Sequence, residues 1–345
     1  MEPWQELIDL TLLARWMDQE GLGQGPIENP RALGGGTQNI LLFFERAGRP
    51  YVLRRPPPVM RMNSNDIMRR EMRLLAALAG TDVPHPAFIR GCPEPRLLGA
   101  SFYLMEPVDG FNATVALPTL HAQNETIRHR MGLSLIDGIC ALGRIDYEAK
   151  GLRNFGKPEN FLQRQPARWL SQLEGYATTP EWPGPSGLPG VTKIADWLTR
   201  HTPETFQPGI MHGDYHLANV MFRHDSGELA AIVDWELATI GDPLLDLGWL
   251  LATWPEEGGP EPYSVAVHPW SGFPRAQELV ARYRQMSTRD VSAIDWYAVL
   301  ACFKLAIILE GTQVRACAGA APKQTGDRLH AHAVGLFERA ERWIS

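Results

Sequence analysis

Apolar and polar positions along the chain change period several times, and each change predicts an element. Near the start, Leu7, Leu10, Leu13 and Trp16 recur at helical spacing amid acidic neighbours, which predicts an amphipathic N-terminal helix. Between residues 30 and 110 the pattern shifts to short apolar runs bounded by turn residues: NILLFFE, YVLRR and FYLME. Set among them, SNDIMRREMRLLAALAG predicts a helix with Met68, Met72, Leu75 and Leu78 on one face and Ser64 or Asn65 as its cap. Strand, strand, helix, strand, strand is the order of a small α+β lobe.

After DGFNATVALPTL the period becomes helical, through residues 121–145 and again through 160–203, where the loop TTPEWPGPSGLPG interrupts it. Residues 210–235 return to strand and turn character. From 243 onward LLDLGWLLATW, AQELVARYRQM, AIDWYAVLACFKLAIILEGTQVRA and DRLHAHAVGLFERAERWI are helical. The expected division is a β-rich unit over 1–106, including the N-terminal helix, and a helical unit over 107–345. A hinge near 106–110 would leave a cleft between them, where small-molecule sites usually lie.

Composition narrows the partners. The chain has 345 residues, 44% hydrophobic and 21% charged, which suits one large or two moderate globular domains. A formal charge of -6 with no basic run argues against nucleic acid as a partner. Cys92, Cys140, Cys302 and Cys317 form no CxxC pair, so neither a zinc site nor a disulfide framework is expected, and a reducing compartment is. The N-terminus lacks the features of a signal peptide, and the long apolar stretch YAVLACFKLAIIL is broken by Lys304. The expectation is a cytoplasmic protein without a membrane partner; protein partners are left open.

Chemistry concentrates in HGDYHLAN at 212–219 and AIVDWE at 231–236. Singly, a His-Asp pair or an Asp after an apolar strand is an ordinary structural feature. Together they fit H-x-D-x-x-x-x-N, the spacing of a kinase catalytic loop, followed by a second acid. In that scheme Asp214 accepts a hydroxyl proton and His212 braces the loop. Asn219 and Asp234 supply oxygen ligands to Mg2+, a hard cation that takes them readily. Two short strands joined by the turn at HDSGE would present both metal ligands at one edge.

HGDYHLANVMF followed by AAIVDWELATIGDPLLDLGWLLATW resembles the aminoglycoside phosphotransferase-like family, which is of the choline kinase type and related to eukaryotic-type kinases. The resemblance covers roughly residues 30 to 320. TDVPHP, FYLMEPVDG and ILEGTQVRA are similar to the branch containing kinase-like modules fused to acyl-CoA dehydrogenases. The resemblance implies a bilobal protein-kinase-like fold with ATP at the hinge and Mg2+ as cofactor. Gly34, Gly35, Gly36 and Thr37 would then form the turn over the nucleotide. Arg54 stands where such kinases place a Lys that pairs phosphates, with Arg55 beside it on the opposite strand face, and Glu71 as partner. The Glu106 carbonyl and the Val108 amide would hold adenine, since Pro107 has no N–H. His216 would either donate to phosphate or pack, and Asp242 and Asp246 would cap a helix and tie the catalytic loop.

The resemblance gives reaction type more firmly than acceptor. Residues 251–330 hold Glu256, Glu257 and Glu261 in a Gly/Pro-rich loop, against Arg275, Arg282, Arg284, Lys304, Arg315 and Lys323. They are also rich in aromatics, among them Trp254, Trp270, Trp296, Tyr297 and Phe303, close behind Trp249. Lys304 and Arg315, eleven apart, would lie on nearly one helix face and could receive an anionic acceptor; the plain alternative is that Lys304 snorkels and Arg315 tops the helix. The expectation is a small-molecule O-phosphotransferase acting on a hydroxylated, partly apolar and anionic compound such as a hydroxyacyl. The alternatives are an aminoglycoside phosphotransferase, a nucleotide-binding pseudokinase favoured by Arg54 in place of Lys, a protein kinase, which lacks D-F-G and A-P-E here, and a metal hydrolase built on H-x-D-x-H.

Overall fold

A computed structural model describes residues 3–34, 39–57, 59–60, 62–255 and 266–345. The N-terminal helical pattern is split into α1 (Pro3–Leu7) and α2 (Leu10–Gln19). Asp9 causes the break: its backbone is extended and its carboxylate accepts the amides of Thr11 at 2.8 Å and Leu12 at 3.0 Å, capping α2. Leu13, Trp16 and Met17 are buried against the sheet that follows, in a cluster with Leu42, Phe44, Leu53, Phe102 and Leu104.

That sheet is antiparallel, in the order β1-β2-β3-β5-β4, from β1 (Glu28–Ala32), β2 (Ile40–Arg46), β3 (Arg49–Arg55), β4 (Phe88–Cys92) and β5 (Phe102–Met105). β1 is absent from the expected order. Its sequence ENPRA is polar and almost wholly exposed, because it is an edge strand held by backbone pairing with β2 rather than by an apolar face. Helix α3 (Ser64–Leu78) buries Met68, Met72, Leu75 and Leu78, as the spacing predicts, together with Glu71 and Leu74. Its cap is corrected to Asn63, which makes no capping bond through its side chain. Asn65 instead accepts the amide of Ser101 at 2.8 Å, fastening α3 to the start of β5.

The second lobe opens with α4 (Thr119–Gln123), α5 (Glu125–Gly143), α6 (Gln165–Gly175) and α7 (Val191–Arg200). Two short strand pairs follow. β6 (Gly209–Met211) pairs with β9 (Thr239–Gly241), and inside that pair β7 (Val220–Phe222) forms a hairpin with β8 (Leu229–Ile232). Helices α8 (Leu244–Thr253), α9 (Ala276–Met286), α10 (Ile294–Cys317) and α11 (Lys323–Trp343) complete it. The first half of α10 is buried around nearly its whole circumference, as befits a central core helix. The architecture is α+β and bilobal, and the inner face of α3 enters the apolar cluster that fills the second lobe. No helix among the described residues is long and apolar enough to cross a membrane.

Candidate active site

The loop after β6 is held from two sides. Asp246 on α8 accepts the amides of His212 at 2.6 Å and Gly213 at 2.8 Å, while Lys304 on α10 donates to the Gly213 carbonyl at 3.1 Å. Gly213 has φ +87, and an added Cβ would sit 2.6 Å from the Leu237 carbonyl oxygen, so no other residue fits without strain. His212 is fully buried and its Nε2 donates to the Val233 carbonyl at 2.9 Å. Burial lowers its pKa, so it stays a neutral brace behind the loop, packed on Trp235. Asp242 caps α8 by accepting the Leu244 amide at 3.0 Å and takes the Tyr297 hydroxyl at 2.6 Å.

Asp214 points out of this brace. His216 accepts the Ala218 amide on Nδ1 at 3.2 Å, which leaves its proton on Nε2, 3.3 Å from Asp214 Oδ1. Asn219 donates to both the carbonyl and Oδ2 of Asp214 at 2.9 Å, which turns its own Oδ1 the other way. Burial pushes the Asp214 carboxyl up, but the hydrogen bond from His216 and the charge of Lys304 outweigh it and hold the pKa at about 2. Asn112, just past the hinge, ties the same loop by donating to the Ala218 and Val220 carbonyls at 2.6 and 3.3 Å.

The β7–β8 hairpin brings Asp234 beside Asn219, because Val233 donates to the Asn219 carbonyl at 2.9 Å. Asp234 adopts a left-handed conformation, φ 64, leaving its side chain 41% exposed. Arg54 of β3 reaches it at 2.7 Å and lies 2.9 Å from Glu71 on α3. Glu71 is 1% exposed and also accepts the Tyr103 hydroxyl at 2.8 Å. Burial opposes the Arg54 charge, yet Glu71, Tyr103 and Asp234 outweigh it and hold the guanidinium protonated. Arg55 faces the other way and donates to the Leu7 carbonyl at 2.5 Å, so it belongs to the α1 contact.

Glu106 uses its amide on the Ala87 carbonyl at 2.9 Å and its exposed carboxylate on Arg49 at 2.8 Å. Its carbonyl and the Val108 amide have no backbone partner among the described residues. Gly34 is exposed at the end of the turn after β1, and Gly35, Gly36 and Thr37 lie outside the described residues. The oxygen donors of Asp234 and Asn219 suit Mg2+, which takes one or two protein ligands and completes its shell with phosphate and water.

Beside Asp214 opens a cavity of about 520 Å³ between α3, α6, α8 and α10. Trp169, Trp249 and Phe161 form its apolar wall, and Arg70, Lys157, Arg164, Arg168 and Lys304 its cations. Lys304 sits 4.3 Å from the Trp249 ring and 5.5 Å from that of Trp169; burial drives its pKa down to about 8. Among the described residues, Glu236 is the one carboxylate on this wall. The expected pairing of Lys304 with Arg315 is not made: Arg315 is exposed, bonds Thr312 at 2.7 Å and stands away from the cavity. Eleven residues of helix separate them by roughly 16 Å. The aromatics expected to mark the acceptor region are mostly core, with Trp254, Trp296, Tyr297 and Phe303 no more than 2% exposed. Sequence reasoning missed Arg164, Arg168 and Trp169, whose only signal is two arginines one helical turn apart beside an aromatic. The loop acids Glu256, Glu257 and Glu261 lie outside the described residues.

A five-stranded sheet with α2 and α3 packed on it, joined to a helical lobe whose braced H-x-D-x-x-x-x-N loop faces a hairpin-borne Asp, defines a kinase-like phosphotransferase. The model of the phosphotransferase enzyme family APH matches residues 30–279, and the chain belongs to that family. It is similar to acyl-CoA dehydrogenase family member 10 of Mus musculus, 28% identical over 300 residues that cover 85% of this chain and 27% of that protein. The chain thus spans well under half the length of the curated relatives it matches. A solved structure from Ralstonia eutropha, described as a candidate aminoglycoside phosphotransferase, is 29% identical with a TM-score of 0.78, covering 97% of this chain and 98% of that one. Aminoglycoside phosphotransferase APH(4)-Ia, solved with AMP-PNP and hygromycin B, has a TM-score of 0.61 over 96% of this chain and 98% of that one; at 14% identity it shares the fold alone.

Proposed function

We propose that the chain is an ATP- and Mg2+-dependent O-phosphotransferase whose acceptor is a hydroxyl on a partly apolar, anionic small molecule such as a hydroxyacyl compound. The cavity beside Asp214 carries this reading, with five cations, an aromatic wall and a single carboxylate among the described residues. A polycationic aminoglycoside would set its charges against those cations, whereas an acid with an apolar body gains from both surfaces. The relatives named for acyl-CoA dehydrogenation lend support, since a phosphotransferase segment within them would serve an acyl compound.

Asp214 orients the acceptor hydroxyl. Held at about 2, it is a weak base and takes the proton only after bonding to phosphorus has acidified it. Arg54, locked by Glu71, faces the nucleotide phosphates, and Asp234 and Asn219 would hold Mg2+. The metal, when bound, neutralises charge on the phosphate oxygens. His212 and Asp246 fix the loop, and Lys304 anchors the acceptor end.

ADP release with Mg2+ should depend on acceptor across a panel of hydroxy acids, their CoA esters, sugars, amino alcohols and aminoglycosides, and be fastest with the acids or esters. Turnover confined to aminoglycosides would sink the acceptor assignment. One contact favours a second reading, a nucleotide-binding module without transfer: Arg54 already engages Asp234 at 2.7 Å. AMP-PNP binding without ADP release on any acceptor or on water would establish it.

A further inference from the structure

Arg70 precedes Glu71 on α3, and successive helical residues point about 100° apart. Glu71 therefore faces Arg54 while Arg70 faces the acceptor cavity. Its guanidinium lies 4.2 Å over the Phe155 ring, and one nitrogen donates to the Phe155 carbonyl at 2.9 Å and the Ala238 carbonyl at 3.1 Å. The Phe155 carbonyl also takes the Thr239 hydroxyl at 3.3 Å, and a Cβ on Gly156 would fall 2.5 Å from the Ile240 carbonyl oxygen. The loop at 155–157, the chain at 234–239 and α3 are thus tied together at Arg70.

These contacts close a ring. Asp234 meets Arg54, Arg54 meets Glu71, Glu71 adjoins Arg70, Arg70 holds Ala238, and four residues of chain return to Asp234. Two arginines of the first lobe therefore hold both ends of one second-lobe segment. One end bears the Asp234 carboxylate; the other, with Lys157 and Thr239, walls the acceptor cavity.

We infer that Arg70 is a positioning residue that couples the acceptor cavity to metal binding, by fixing the register of residues 234–239 against α3. The inference rests on the function proposed above. Because one register serves both sites, an anion seated against the cationic wall and Mg2+ at Asp234 strengthen each other reciprocally. The guanidinium plane stacks on Phe155 while one of its nitrogens reaches both carbonyls; a Lys ammonium keeps the charge but not the stacked plane.

The test is a Mg2+ titration of AMP-PNP binding by calorimetry, on the full chain and on Arg70→Met and Arg70→Lys. The expected result for Arg70→Met is a rise of about tenfold in the Mg2+ midpoint, with metal-free AMP-PNP affinity held within about twofold. Arg70→Lys should fall between it and the unmodified protein. A defect of folding alone would instead weaken metal-free binding as much. Should Arg70→Met fail to fold, Arg70→Lys decides by the same shift. An unchanged midpoint in the folded variants overturns the coupling and leaves Arg70 as cavity wall. Absence of Mg2+-dependent AMP-PNP binding in the unmodified protein removes the proposed function, and this inference with it.

Discussion

Lys304 donates to the carbonyl of Gly213, the residue before Asp214, and both groups have displaced pKa values, Asp214 held at about 2 and Lys304 lowered to about 8. Asp214→Asn keeps the shape and the contact to Asn219 while removing the charge. ADP release should fall roughly 10²–10⁴-fold, the usual contribution of a positioned proton acceptor, while calorimetric AMP-PNP affinity stays put. Lys304 gives a pH dependence of known sign. Its folded pKa of about 8 lies below the ordinary 10.5, so between those values only the unfolded chain carries the proton. The contribution of Lys304 to stability should therefore rise with pH across that window, read as the difference from Lys304→Met. An anionic acceptor should bind more weakly over the same window, as its ammonium partner is neutralised. Lys304→Met should remove both trends, read by urea unfolding and by acceptor KM between pH 7 and pH 10.

At the scale of elements, the loop 212–219 depends on one backbone conformation. Gly213→Ala forces a side chain into the left-handed region, at about 1–2 kcal/mol, and against the Leu237 carbonyl besides. The loop should pull away from Asp246, lowering both the urea midpoint and kcat, whereas Gly335→Ala, inside α11 with open space at its Cβ, should leave kcat unchanged and raise the urea midpoint slightly. The loop was legible in the sequence because its polar residues stand at fixed spacing between apolar runs, which admits few geometries. α3 was legible from its period, though not its cap, since Asn65 found a partner 36 residues away. β1 was not legible: an exposed edge strand has no apolar alternation. The cavity beside Asp214 was legible at Lys304 and Trp249 alone, because α3, α6, α8 and α10 meet there through tertiary packing. Aromatic content could not separate Trp249 on the cavity wall from Trp254 and Trp296 in the core, since burial satisfies either role.

For the whole molecule, the question is whether the lobes unfold separately. Met68, Met72, Leu74 and Leu75 of α3 belong to the same apolar cluster as α5, α8 and α10. Arg54 and Arg70 cross between lobes to Asp234 and Ala238, and Ile232 donates to the Pro84 carbonyl at 2.9 Å. Phe111 and Phe222 exchange backbone bonds of 2.9 and 2.8 Å beyond the hinge. Melting the sheet would expose the inner face of α3 and leave the buried Glu71 carboxylate without Arg54, the costliest way to break an ion pair. Scanning calorimetry should accordingly show one transition, and Mg2+ with AMP-PNP at a hundred times its Kd should stabilise the whole chain by about 2.7 kcal/mol. Two transitions, with the nucleotide moving only one, would mean that α3 releases the second lobe before it leaves the first. In that case Arg54 and Arg70 would report on the native state without holding it together.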